Sequence, residues 1–288
     1  MARNNEDRFG APHVEAPPPP IIGTNEAASN EQAFSFVTPT EFVELPSRGK
    51  FYSDDHPLHN QESIEIRYMT AKDEDILTSN ALIRKGVALD RLLQNVIVDK
   101  RIKADDLLVG DRNAILVATR ISGYGESYDV KMSCPTCFSS VEHGFDLSKL
   151  NVQYGDNLEE HDIILASDNT FLITLPKTKA EVNLRLMTGT DERDLGKLAQ
   201  TRKKHKLPES SLTDQFKKII VAVNGSANKS HINELVDCLP AADSRYLRNL
   251  YFATIPNIDL RQDFECNSCG AFEEVMIPFT TEFFWPKR

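Results

Sequence analysis

Two short turns constrain this chain more than any other feature. Cys134-Pro135-Thr136-Cys137 and Cys266-Asn267-Ser268-Cys269 each place two thiols two residues apart. Such a turn aims both sulfurs at one ion, and two turns together supply the four thiolates of a tetrahedral zinc site. The interval between the pairs far exceeds an ordinary ribbon loop, so a shared site obliges two distant parts of the chain to meet. Both turns lie between segments that read as strands, the setting of a zinc knuckle. A redox Cys-x-x-Cys would open a helix instead. Gly270, directly after Cys269, suits a left-handed backbone position. Four thiolates leave no open coordination position, so the expectation is one structural Zn2+ per chain, held by Cys134, Cys137, Cys266 and Cys269. Four reduced, unligated cysteines or a redox pair are the readings set against it.

The rest of the chain repeats itself around these turns. Phe42-Val43-Glu44-Leu45-Pro46 is matched by Leu172-Ile173-Thr174-Leu175-Pro176, and Ile64-Glu65-Ile66-Arg67-Tyr68-Met69-Thr70 by Val182-Asn183-Leu184-Arg185-Leu186-Met187-Thr188. Asp73-Glu74 and Asp191-Glu192 follow, and Asp111 and Asp243 lie equally far ahead of Cys134 and Cys266. The expected organisation is an N-terminal arm over 1–36, a first repeat over 37–150, a polar linker over 151–168 and a second repeat over 169–288. The arm holds Pro17-Pro18-Pro19-Pro20 and few large apolar groups, so it is read as disordered. The fold class is α+β: two tandem αβ repeats, each ending in a zinc-knuckle β-hairpin, together forming one split zinc ribbon.

Ile64, Ile66 and Tyr68 alternate with polar residues, as a half-buried strand does. Thr70 with Asp73 and Thr188 with Asp191 resemble capping boxes that open helices. Leu89, Leu92, Leu93, Val96 and Ile97 make a helical apolar face, and Phe216, Ile219, Ile220 and Val223 make its counterpart. Asp111 and Asp243 are read as N-caps of a further helix in each repeat. Residues 128–132 and 258–264 turn extended, and 141–145 and 272–277 return as strands. Cys238, alone on a helix, is expected to be buried packing. His56 and His59 read as a loop, and the charge of Asp73-Glu74-Asp75 as complementing a helix dipole. Arg202-Lys203-Lys204-His205-Lys206 reads as a solvated helix end. Phe283-Phe284-Trp285 close the second repeat as an aromatic tail that either docks on its own domain or waits for a partner.

The formal net charge of −10 argues against broad attraction to nucleic acid or to an anionic membrane. The strands around the cysteines sharpen this, with Asp129, Glu142, Asp146, Asp259, Asp263, Glu265, Glu273 and Glu274 against Lys131 and Arg261. A zinc-ribbon nucleic-acid or transcription-related protein needs the reverse balance. No apolar run reaches the roughly 18 residues that span a bilayer, and residues 1–10 lack the apolar core of an export signal. A soluble, intracellular chain is therefore expected. No nucleophile elbow, phosphate loop or dinucleotide fingerprint is present, so no catalytic residue, cofactor-binding residue or small-molecule substrate is assigned, and the chain is read as not an enzyme.

Four stretches carry a resemblance. Leu45-Pro46-Ser47-Arg48-Gly49-Lys50, then residues 67–74 (Arg-Tyr-Met-Thr-Ala-Lys-Asp-Glu), then residues 107–116 (Leu-Leu-Val-Gly-Asp-Arg-Asn-Ala-Ile-Leu) are similar to T4-type phage baseplate hub assembly proteins. Residues 239–251 and the Cys turn that follows resemble related tail-assembly proteins of contractile-tailed phages. The resemblance spans about 40–285. It implies an assembly chaperone or minor subunit of the baseplate hub, with hub or tail proteins as partners. It places the chain in the host cytoplasm during assembly or in the virion baseplate, and it transfers no catalytic residues.

Overall fold

The alternation at Ile64 and Ile66 places both side chains in the core. In the computed structural model, which describes residues 37–156, 158, 163–166, 168–277 and 281–284, that segment is β2 (Ser63–Arg67), paired antiparallel with β1 (Thr40–Glu44). The arm expected over 1–36 and Trp285 lie outside the described residues. Thr70 then caps α1 (Ala71–Thr78): its N–H and hydroxyl both donate to Asp73, at 2.8 and 2.9 Å. Short α2 (Asn80–Lys85) leads to α3 (Ala88–Val96), whose Leu92, Leu93 and Val96 are buried. Ile97 returns to bridge Ile66. Next come α4 (Val109–Tyr124) and the hairpin β3 (Ser127–Ser133)–β4 (Ser140–Asp146).

After β5 (Asn151–Gln153), a four-stranded antiparallel sheet runs β6 (Ile164–Leu165), β7 (Phe171–Thr174), β8 (Glu181–Leu184) and later β9 (Ile220–Val223). Between β8 and β9, Thr188 caps α5 (Gly189–Lys204) through Asp191, again with a reciprocal box, and α6 (Ser211–Ile219) buries Phe216 and Ile219. The chain then makes α7 (Lys229–Cys238), α8 (Ala241–Thr254), β10 (Asn257–Asp259) and the hairpin β11 (Arg261–Glu265)–β12 (Phe272–Met276). The mixture of helices and small antiparallel sheets is α+β. Among the described residues, no helix is long and apolar enough to cross a membrane.

Two arginines lock the capped helices. Arg67 grips Asp73 with both terminal nitrogens, at 2.7 and 3.0 Å, and Arg185 grips Asp191 at 2.7 and 2.8 Å. The same spacing, Arg-x-x-Thr-x-x-Asp, serves both places.

Asp111 and Asp243 depart from the expected N-cap role. Leu108 and Pro240 hold the cap positions, and each aspartate lies inside its helix's first turn, buried. Asp111 accepts from the Ser47 N–H and hydroxyl, at 3.0 and 2.6 Å, and from the Tyr52 hydroxyl at 2.7 Å. Asp243 accepts from the N–H groups of Lys177 and Thr178, at 2.8 and 2.9 Å. The backbone donors stand directly after Leu45-Pro46 and Leu175-Pro176. Buried turn N–H groups need an acceptor, and the carboxylates supply it.

The segments before and after residue 150 interlock. Val109 N–H bonds the Met187 carbonyl and Gly189 N–H the Leu107 carbonyl, both at 2.9 Å, and Thr190 N–H bonds the Asp105 carbonyl at 2.8 Å. Within the stretch expected as a linker, β5 pairs antiparallel with β10. Gly110 lets α4 press on the residue before β10, where a Cβ would stand 2.0 Å from the Pro256 carbonyl oxygen. One apolar core results, shared by Leu45, Ile66, Ile115, Leu175, Val182 and Leu247.

Two expectations are settled at the periphery. Cys238 is exposed, not buried. The buried face of α7 is Ile232 and Val236, and a residue two places on lies about 200° around the helix. The tail aromatics Phe283 and Phe284 dock on the chain's own core in a 3-10 turn, Thr281–Phe284. Phe283 meets the Tyr128 ring edge-on at 5.0 Å, and the Arg120 Nε donates to its carbonyl at 2.8 Å.

Candidate metal centre

The two hairpins meet through a small core of their own. Val141 on β4 and Phe264 on β11 are buried with Cys134 and Cys266, and Met132, Ala271 and Val275 pack around them. His143 sits edge-on to both Phe145 and Phe264, at 4.7 and 5.1 Å. Asp146 N–H donates to the Gln262 side-chain carbonyl at 3.2 Å, and the Gln262 amide donates back to the Asp146 carbonyl. At the tips, the Thr136 hydroxyl donates to Glu273.

Each cysteine pair occupies the same turn. Cys134 N–H bonds the Ser139 carbonyl and Phe138 N–H bonds the Cys134 carbonyl, both at 2.9 Å. Cys266 N–H bonds the Ala271 carbonyl at 2.9 Å and Gly270 N–H the Cys266 carbonyl at 2.8 Å. The turn needs a left-handed residue after its second cysteine. Gly270 has φ 71° as expected, whereas the first turn holds Phe138 there at φ 58°.

These turns bring together all four cysteines singled out from the sequence. Cys134 Sγ lies 3.9 Å from Cys269 Sγ, and Cys137 Sγ 3.8 Å from Cys266 Sγ. All four sulfurs fall within 4.8 Å of one another. Four sulfurs around a zinc at about 2.3 Å would stand roughly 3.8 Å apart, whereas a disulfide needs about 2.0 Å. The cluster therefore has the dimensions of a four-thiolate metal site, and it can hold a metal ion.

Its acid–base balance points the same way. Burial opposes ionisation of Cys266, but the N–H groups of Cys269 and Ser268 and the adjacent thiols outweigh it and lower the pKa to about 6. Cys269 moves to about 12: the Ala271 N–H favours its thiolate, yet the Cys137 and Cys266 sulfurs and burial prevail against it. Thiols this close do not all ionise unaided, and a bound dication removes the conflict.

The other groups weighed in the sequence stay away from this centre. The His56 ring stacks on Tyr52 at 4.4 Å and accepts from the Leu58 N–H at 3.1 Å, while His59 faces the Tyr52 carbonyl and Asp54. Asp73 is consumed by its capping box. Arg202, at the end of α5, pairs with Asp214 at 3.0 Å. The reciprocal Asp146–Gln262 bonds and the edge-on His143 add to the site beyond the residues that the sequence singles out. Their only signal is that polar residues interrupt the apolar alternation of two strands.

Comparison with protein families gives a match over residues 38–285 to the family described as T4 bacteriophage base plate protein. Comparison with curated proteins gives no match, and comparison with solved structures gives none.

Proposed function

The chain belongs to the T4 bacteriophage base plate protein family, and from that premise we propose that it is a non-enzymatic protein that builds the hub of a contractile-tail baseplate through protein–protein contacts. The family match across 38–285 is the observation that carries this reading. The metal centre agrees with it. A site filled by four thiolates has no position for substrate or water and serves architecture.

The proposed ion is Zn2+, one per chain, ligated by Cys134, Cys137, Cys266 and Cys269. The proposed architecture is a duplication in which each copy donates one knuckle to a split ribbon. Three correspondences support it: the Arg-x-x-Thr-x-x-Asp locks, the Leu-Pro turns bound by Asp111 and Asp243, and the matching hydrogen bonds of the Cys turns. The surrounding sheets differ, two strands in one copy and four in the other.

The test of function is to remove the chain from the phage and sediment the tail intermediates. Loss of hub-containing baseplates is the expected result, and normal tails would overturn the reading. Peptide mass spectrometry of purified virions then separates a resident subunit from a chaperone that departs. For the metal, protein purified without chelator should contain about one zinc per chain; elemental analysis that finds none tightly bound rejects the site.

A further inference from the structure

Where glycine would fit both knuckles, the first one carries phenylalanine. Phe138 and Gly270 hold matching places, each closing its turn on the carbonyl of the first cysteine with a positive φ. Glycine enters that region freely, whereas a bulky side chain there is strained. Packing does not offset the strain, since Phe138 is 79% exposed. Just past the second knuckle, Phe272, Glu274 and Met276 alternate onto one face of β12, all exposed. Their cross-strand neighbours are Glu265, Asp263 and Arg261, and Arg261 is already bound by Asp259 and Glu274. Thr136 donates to Glu273, which shares the inner face of β12 with Val275, so the tip of the first knuckle abuts that face while Phe272 stands on the outer face close to the same tip. The knuckle tips thus present two exposed aromatic side chains, Phe138 and Phe272, with Glu265 and Glu273 nearby.

We infer that this end is a docking face for another protein, one that offers an apolar pocket flanked by lysine or arginine. Apolar anchors with a charged surround are the usual make-up of a binding hot spot. The carboxylates choose the partner's sign: they repel nucleic acid and the same face of a second copy, and they attract a basic rim. That the partner is a baseplate component rests on the function proposed above.

The test replaces Phe138 or Phe272 with photoreactive benzoylphenylalanine in cells producing the phage. Phe252, 58% exposed on α8, is the control position. Adducts from 138 and 272 should contain one and the same protein, joined through an apolar segment with neighbouring Lys or Arg, and position 252 should not capture it. No adduct, an adduct with a second copy of this chain, or equal capture from position 252 would overturn the docking face. A shared partner from outside the tail would keep the face and overturn the baseplate reading. Tail defects on removing the chain, with no adduct at either position, would do the opposite. The variant Phe138→Gly separates docking from folding. It relieves the strained backbone, so the melting temperature should hold or rise, while capture from position 272 falls about thirtyfold, as for loss of a hot-spot side chain. A fall of several degrees in melting temperature with capture unchanged would assign Phe138 to the fold.

Discussion

At the scale of single residues, the most consequential group is a carboxylate with no access to water. The Asp73 side chain is fully buried and takes bonds from Arg67, from the Thr70 N–H and hydroxyl, and from Asn95 at 3.3 Å. Burial pushes its pKa up, but the Arg67 and Thr70 bonds outweigh it and hold the pKa near 2. An unfolded aspartate titrates near 3.9. The folded state therefore binds fewer protons between those values, and this stabilisation is complete above about pH 4 and lost as pH falls toward 2. Asp73→Asn should cost about 1–3 kcal/mol at pH 7, and the gap to the parent protein should narrow to well under half of that near pH 2.5 and close only as pH falls past 2. Urea unfolding at pH 7 and near pH 2.5 checks it; a gap independent of pH would show that ionisation of Asp73 contributes nothing. Asp191, lowered by the same kind of bonds from Arg185 and Thr188 against its own burial, should behave alike in Asp191→Asn.

At the scale of elements, the C-terminal 3-10 turn is held by a side chain from the middle of the chain. Arg120 is buried in α4 and donates to the carbonyls of Gly125, Ser127 and Phe283, at 2.7, 3.0 and 2.8 Å. That one guanidinium joins the end of α4, the start of β3 and the tail. Phe283→Ala removes a fully buried ring and should cost about 3–5 kcal/mol. For a unit of this size that is a fall in melting temperature on the order of 10 °C, read by circular dichroism. An unchanged midpoint would mean that the tail packs without stabilising. The strands, the capping boxes and the cysteine turns were legible because each is a local pattern: alternation, a Thr with an acid three residues on, two thiols on one turn. What the sequence left open were bonds between distant segments. Asp111 looks like an N-cap because its immediate neighbours suit one, yet its donors lie 64 and 59 residues away. Cys238 looked buried because cysteines usually are, and only the facing of α7 decides otherwise. The aromatic tail named its own need for cover but not its cover, which is Tyr128 and Arg120.

At the scale of the whole molecule, the described residues hold two cores of very different size. The large one runs through α3, α4, β8 and α8, while the small one around the thiols has four buried members, Cys134, Val141, Phe264 and Cys266. A cluster that small does not offset the conformational entropy of ordering two hairpin ends, which is on the order of 1–2 kcal/mol per residue. The proposed zinc would offset that cost, since binding of a structural zinc supplies about 10–16 kcal/mol in small zinc domains. The bases of β3 and β4 are anchored independently, since Tyr128, Val130 and Phe145 belong to the large core. Metal removal should therefore open the tips and spare the body. With a strong chelator, or in Cys266→Ser, amide hydrogen exchange across 132–141 and 264–272 should approach the unprotected rate. The amides of α4 should keep their protection, because Leu116 and Ile115 pack in the large core and Val109 remains bonded to Met187. If α4 instead loses protection together with the tips, the two cores form one cooperative unit, and the metal stabilises the entire fold through the interlocked segments around Leu107, Gly189 and the β5–β10 pair.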